Sequence, residues 1–562
     1  MGNAEPMDDR PNVSAPEASV RPAALPVRAV FASALVLGVA GDVLLRGRGG
    51  PGLNFFLLFL GLGVAVWTLS RRAGLALSRE ALVTLGVGIA FAATMVLRAS
   101  DALQFAFLAA AVAFALPALG AGAAWLRRSG VSDQIEAVAW AGVNAMAGAF
   151  RLVVAALASR SGHGVPAAGT GQPGEPDRHP ARAVLRGLLL AIPFLLVFGA
   201  LFMSADRIFA DLVTDLVDLD YDEIVSHLVV TAVLTWLACG FLTGFLTGTR
   251  LVSLGDAFGT RPAVGIVEIG TALALVDLLF VLFVSVQFRY LFGGSGLVEV
   301  TPGLTYAEYV REGFGQLALA CALVLPSLLA ADWLLHARRR RDALVFRVLG
   351  GLLLLLLVVI IASALQRVRA YQAAYGLTES RFYGAAFVAW LTFLTLWFAV
   401  TVLRGRRERF AFPALVSGFA FVALLLAVNP DARIARTNLE RAGDVRTAMD
   451  RSGDAVDAGY LASLSADAVP TLMAALPDLP PQPRCVLARR LLARWGPEEV
   501  AEADWRSWNW SVARAREMVG TDAETLRTMV AGVDADACPA SDPSLLSASR
   551  AATSSPSPGS GR

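Results

Sequence analysis

An aspartate deep inside an apolar run is the residue here with the clearest chemical potential. Asp277 stands in TALALVDLLFVLF, residues 271–283. A carboxylate in hydrocarbon must be protonated, paired or coordinated, so such a residue marks a proton or ion path, or a hydrogen bond to a neighbouring helix. Both readings stay open for Asp277. Glu268 precedes it by nine residues, which puts the two on opposite helix faces, so each needs its own partner. Asp332 lies beside HARRRRD (336–342) and is expected to pair with that cluster. Asp42, near the end of the first apolar run, is expected to reach the headgroups.

Other chemistries find no residues to carry them. All the basic residues are arginine, so there is no Walker lysine, no Schiff-base lysine and no attachment point for pyridoxal phosphate. No HExxH, GxSxG, P-loop, CxxC or dinucleotide fingerprint stands in a suitable setting. His163, His179, His227 and His336 are scattered without metal-ligand spacing. DLDYDE, 218–223, begins like a calcium loop, but Glu223 stands where the turn glycine belongs and Val229 where the closing glutamate belongs, which favours a solvated acidic face. No catalytic residues, metal or cofactor are expected.

The elements that must position these acids are membrane helices. The 562 residues are 56% hydrophobic and 17% charged, against roughly 25% charge in soluble domains. The apolar residues gather in blocks of about 20, the length that crosses a bilayer as a helix. Runs near 28–45, 53–70, 81–97, 102–124, 183–205, 227–249, 264–288, 314–336, 343–365, 382–403 and 411–428 give about eleven spans. The expected fold is all-α: a polytopic bundle with a small helical extramembrane domain at its C-terminal end. Net charge is only +2, which points away from nucleic acid and leaves the lipid bilayer as the main partner.

Arginine orients the bundle. Arg71, Arg72, Arg79, Arg127, Arg128, Arg250, Arg261, the 336–341 cluster and RGRRER (404–409) fall in alternate loops, which the positive-inside rule makes cytoplasmic. The opposite loops are acidic or balanced, above all 206–223, with seven acids to one arginine. The N-terminus is then inside, and with an odd span count the chain beyond 428 starts outside the plasma membrane.

The expected organisation is a disordered tail over 1–27, four spans over 28–124, a cytoplasmic amphipathic helix and flexible loop over 125–182, and seven spans over 183–428. An extracytoplasmic helical domain (429–538) and a disordered tail (539–562) follow. Within 132–156, Asp133, Glu136, Asn144 and Arg151 fall within about 80° on a helical wheel, which predicts an interfacial helix with its polar stripe in water. Gly240, Gly244 and Gly248 recur every fourth residue and let their span approach a neighbour closely. In the C-terminal region Asp467 is expected to cap a helix with Pro470 in its first turn. Cys239 and Cys321 sit inside spans as small apolar groups; Cys485 and Cys538 lie in the outer region, where a disulfide between them is expected. Trp495, Trp505, Trp508 and Trp510 suggest core filling or contact with the outer leaflet rather than a carbohydrate site.

Three stretches carry a resemblance: VQFRYLFGG (286–294) with TYAEYVREGFGQL (305–317); AYGLTESRFYG (374–384); and NPDARIARTNLER (429–441) with DAGYLASLSADAVPTL (457–472). In this order they resemble a family of multi-span bacterial membrane proteins known only as a domain of unknown function, the type numbered four-one-seven-three, over roughly 183–475. The resemblance implies a polytopic fold and no activity. With the topology above, Tyr290, Tyr306, Tyr309, Arg311, Tyr375, Glu379, Arg381 and Tyr383 share the outer side. They make either an interfacial aromatic belt with arginine–carboxylate pairs or a site for a protein partner or small ligand. Function then divides between an envelope sensor or interaction protein acting through its outer parts and an ion- or proton-coupled transporter or channel. A membrane enzyme has the least support.

Overall fold

A computed structural model describes residues 26–46, 49–119, 125–160, 202–203, 206, 209, 222–248, 264–292, 314–335, 340–448, 456–497, 504–531 and 538. Among them the chain is helical throughout, with no strand and one isolated bridge between Val264 and Leu335. Eight helices are long and apolar enough to cross a membrane. Two expected spans are shorter apolar helices, Ala102–Ala118 and Leu319–Leu334. The span expected at 183–205, the loop before it and nearly all of the acidic loop after it lie outside the described residues.

The chain divides into two compact units. The first covers 1–49, 54–93 and 107–260. It contains α1 (Val27–Leu45), α2 (Leu53–Arg72), α3 (Arg79–Leu97) and α4 (Ala102–Ala115), apart from the residues of α2–α4 that fall in the second unit. It also contains α5 (Val131–Arg160) and α6 (Asp222–Thr247). Val66, Leu69, Phe114, Leu242 and Phe245 make its core. α1 and α6 run antiparallel: Arg46 Nη2 donates to Ser226 Oγ at 2.9 Å at one end, while Gly38 lies against Thr235 further along.

α5 departs from expectation. Its stripe does not face water: Asn144 and Glu136 are buried and Arg151 is half-buried, donating to Asn144. Only Asp133 is exposed, at the first turn, where it accepts the Gly130 N–H at 2.8 Å. The outward residues are apolar: Ile135, Val143, Met146 and Phe150. A helical wheel finds a polar face but does not say what covers it. Here α6 covers Asn144, and the apolar residues take the outward side. The approach is close because Gly148 meets Gly240, and Gly244 meets Asn144; a Cβ on Gly240 would overlap the Ala145 carbonyl.

The second unit covers 50–53, 94–106 and 261–562. Its apolar helices are α7 (Ile266–Phe292), α8 (Phe314–Leu334), α9 (Arg340–Tyr375), α10 (Glu379–Thr401) and α11 (Ala411–Val428). Trp390 stacks on Phe421 with ring centroids 5.4 Å apart and ties α10 to α11. α11 ends on Asn429 in the left-handed conformation (φ 55°), and Pro430 opens the next helix with no intervening loop. That pair is the physical content of the apolar-to-polar switch at NPDARI.

The C-terminal helices follow: α12 (Pro430–Ala448), α13 (Ala458–Ser463), α14 (Val469–Ala475), α15 (Pro481–Trp495), α16 (Trp510–Thr521) and α17 (Ala523–Ala531). They pack around Ile434, Leu461, Leu472, Leu487, Leu491, Val519 and Leu526. Cys485 and Cys538 are joined, with Cα atoms 5.9 Å apart. Ser465, not Asp467, caps the short turn before α14, accepting the Asp467 N–H at 3.3 Å; Asp467 is committed elsewhere.

Gly240→Ala is expected to cost about 1–3 kcal/mol by forcing α5 from α6. Gly142→Ala, on the open side of α5 with nothing within 4 Å, should be neutral. Thermal unfolding of both variants in detergent measures the difference.

Candidate functional site

The polar groups of the second unit gather where turns between apolar helices meet the C-terminal helices. A helix leaves its first N–H groups and last carbonyls without partners. Several of these are satisfied by side chains from far along the chain. Asp467, 4% exposed, accepts the N–H groups of Ala99 (3.0 Å) and Ser100 (3.1 Å), just before α4. Arg98 lies 3.9 Å from it. Asn509 Nδ2 donates to the carbonyl of Met95 at 2.8 Å and to that of Arg98, at the end of α3. The Ser511 hydroxyl is shared between the Leu97 carbonyl (2.9 Å) and Asp467 Oδ1. Asn438, on α12, holds both sides of Leu377 between α9 and α10: Oδ1 accepts its N–H at 2.7 Å and Nδ2 donates to its carbonyl at 2.8 Å.

Beside these contacts lies an acidic and aromatic pocket. Asp431, on α12, is wholly buried. Its Oδ2 accepts the Ser465 N–H at 3.1 Å, while Oδ1 has no hydrogen-bond donor. The Glu379 carboxyl lies close enough to Asp431 for the two acids to act on each other electrostatically. Burial pushes the Asp431 carboxyl above the usual range, the Ser465 hydrogen bonds oppose the shift, and the charges of Asp467 and Asp101 add to it. The Tyr460 hydroxyl accepts the Glu379 N–H at 3.0 Å, and burial pushes its own ionisation up to about 12. Arg494 faces this pocket and donates to the carbonyls of Ser463 and Leu464, each at 2.9 Å. Desolvation weakens its hold on the proton, opposed by Asp431 and Glu379.

Of the residues expected on the outer surface, Glu379 and Tyr383 meet at this pocket; the Tyr383 ring packs against Phe105 at 5.8 Å and its hydroxyl is near Ser100, Asp101 and Asp431. Arg381 turns back to the Gly376 carbonyl at 2.7 Å. Tyr290 lies in the last turn of α7 and Tyr375 ends α9, with only their backbones described. Tyr306, Tyr309 and Arg311 lie outside the described residues.

The intramembrane acids stand apart. Asp277 is 3% exposed, and neither carboxylate oxygen has a hydrogen-bond partner. Glu268 is exposed in the first turn of α7, where an acid suits the helix N-terminus. Asp332 pairs with Arg407 at 3.6 Å, from the later arginine cluster rather than the adjacent one. In the first unit Asp42 is buried against protein: Oδ1 accepts Arg46 Nε at 2.6 Å and Oδ2 contacts His227. Among the described residues no group of three His, Cys, Asp or Glu is placed to hold a metal ion.

Sequence reasoning passed over Asn438, Tyr460, Arg494, Asn509 and Ser511, and gave Asp467 only a local capping role. A signal did exist for three of them: Asn438, Tyr460 and Asp467 all lie within the third familiar stretch.

A family model described as "Domain of unknown function (DUF4153)" matches residues 81–475. The chain belongs to this family. The number given by resemblance, four-one-seven-three, is corrected in one digit, and the match begins about a hundred residues before the stretch expected. No curated protein and no solved structure matches the chain. The DUF4153 match ends at Ala475, with α14, so Asp431, Asn438, Tyr460 and Asp467 belong to the family region while Arg494, Asn509, Ser511 and the disulfide lie beyond it.

A raised carboxyl means that the folded state binds the Asp431 proton more tightly than the unfolded chain does. Its contribution to stability is therefore full below the ordinary value of 3.8 and is lost as pH rises through the higher folded value. Unfolding midpoints followed between about pH 4 and about pH 8 should fall more steeply for the natural chain than for Asp431→Asn.

Proposed function

We propose that the chain is an eleven-span protein of the cell membrane, with its N-terminus cytoplasmic. In this reading its C-terminal helices form an extracytoplasmic module that senses a condition or binds a partner and passes its state to the spans. One observation carries the proposal: side chains of the C-terminal helices grip the turn between α3 and α4 and the turn between α9 and α10, through Asp467, Asn509 and Asn438. A change in the packing of these helices therefore alters which span ends are satisfied. The span count is supported by eight long apolar helices, two shorter ones and the apolar run at 183–205. The sidedness is supported by the alternation of arginine-rich loops. The pocket at Glu379, Asp431 and Tyr460 is the candidate place for the sensed proton or small polar ligand.

In intact cells, an impermeant maleimide is expected to label Glu524→Cys, whose side chain is 84% exposed, and to reach Arg406→Cys only after lysis. The reverse pattern removes the proposal. Asn438→Ala, still inserted at normal levels, is expected to reproduce the gene-deletion phenotype under envelope stress; natural behaviour would defeat the coupling.

A second reading, proton- or ion-coupled transport, is favoured by one residue. Asp277 is buried in α7 with both oxygens unpartnered. In proteoliposomes carrying an internal pH dye, Asp277→Asn is expected to abolish any proton flux that the natural chain supports. Equal flux from both proteins would leave Asp277 a packing residue.

A further inference from the structure

Trp505, Trp508 and Trp510 are 55%, 46% and 44% exposed, although each is a large apolar side chain that a soluble domain tends to bury. They lie within six residues, on a 3-10 turn (Trp505–Ser507) and at the start of α16. The segment that bears them is fastened to the ends of two apolar helices. The Trp508 carbonyl accepts the N–H of Leu53, the first residue of α2, at 3.0 Å. Gly52 allows that approach, since a Cβ there would stand 2.7 Å from the Trp508 oxygen. Asn509, between two of the tryptophans, is buried and bonds the Met95 and Arg98 carbonyls at the end of α3. The start of α2 and the end of α3 mark the same boundary of a membrane that both helices cross.

We propose that Trp505, Trp508 and Trp510 seat the C-terminal helices in the headgroup region of the bilayer that the chain spans, so that the occupant of this surface is membrane lipid. The chemistry fits. Indole has an apolar body and one N–H donor, and it gathers where hydrocarbon meets headgroup. Arg514 lies over the Trp510 ring, 5.2 Å from its centroid, within reach of lipid phosphate. The depth follows from the span-end hydrogen bonds. The anchor is independent of the sensing reading and of which face of the membrane is involved.

The test uses the full chain in phosphatidylcholine nanodiscs, with and without a lipid carrying a nitroxide near its glycerol backbone. Trp505→Cys and Trp508→Cys are labelled separately with an environment-sensitive fluorophore, each keeping the other two tryptophans, and Glu524→Cys serves as the exposed reference. The partners of the segment are backbone groups and Asn509, which neither substitution removes, and Cys239 and Cys321 are buried. The expected result is several-fold stronger quenching by the nitroxide lipid at 505 and 508 than at 524, with weaker quenching there by aqueous iodide. Iodide quenching equal to that at 524 overturns the proposal. So does protection from both quenchers, which would mean that protein, such as a second copy of the chain, covers the surface.

Discussion

The ends of membrane helices carry backbone groups that hydrocarbon cannot satisfy and that local sequence often does not. In the second unit of this protein, the answer comes from the far end of the chain. Asp467 takes two N–H groups before α4, Asn509 takes carbonyls at the end of α3, and Asn438 brackets Leu377 between α9 and α10. Each is a side chain of the C-terminal helices serving a turn between apolar helices. A buried polar group left unpaired costs about 1–3 kcal/mol, so these contacts decide whether the C-terminal helices and the turns behave as one body. The acidic pocket exists because the same packing that satisfies the turns also brings half-buried Glu379 close to wholly buried Asp431.

The first unit solves the related problem of polar side chains. Its fifth helix turns Asn144, Glu136 and Arg151 toward protein and Met146 and Phe150 outward. Asp42 is paired with Arg46 and contacts His227. Asp277, in the second unit, has no such company. Three of the acids in apolar helices thus have three fates: Asp42 is held by Arg46 and His227, Asp332 is paired with Arg407, and Asp277 has no hydrogen-bond partner.

Much of this was legible in the sequence because membrane spans are written in composition. Blocks of apolar residues bounded by arginine locate the long apolar helices, and the Asn429–Pro430 break falls where charge returns. Spacing also disclosed that Gly240 and Gly244 face a neighbour, though not that the neighbour is α5. The failures share a cause. Periodicity reports one helix at a time, so it could find the polar stripe of α5 but not its cover, and the Asp467 carboxylate but not the turn it serves. Asp467 was read as a local cap because local partners are the ones a sequence makes visible. Its actual partners are 367 and 368 residues away. The residues expected to form one outer surface were grouped by topology alone; among those whose side chains are described, Glu379 and Tyr383 reach the pocket and Arg381 lies close enough to act on Tyr460.

Distance along the chain has a biosynthetic meaning too. Asn509 follows Met95 by 414 residues, so the ribosome finishes and inserts α3 long before the amide that closes its end exists. Domains generally fold as they emerge, N-terminal parts first. Here an early membrane helix instead waits, its terminal carbonyls bare, until Asn509 has been translated. A polypeptide released early would retain that exposed end, giving the cell a structural mark by which an unfinished copy differs from a finished one.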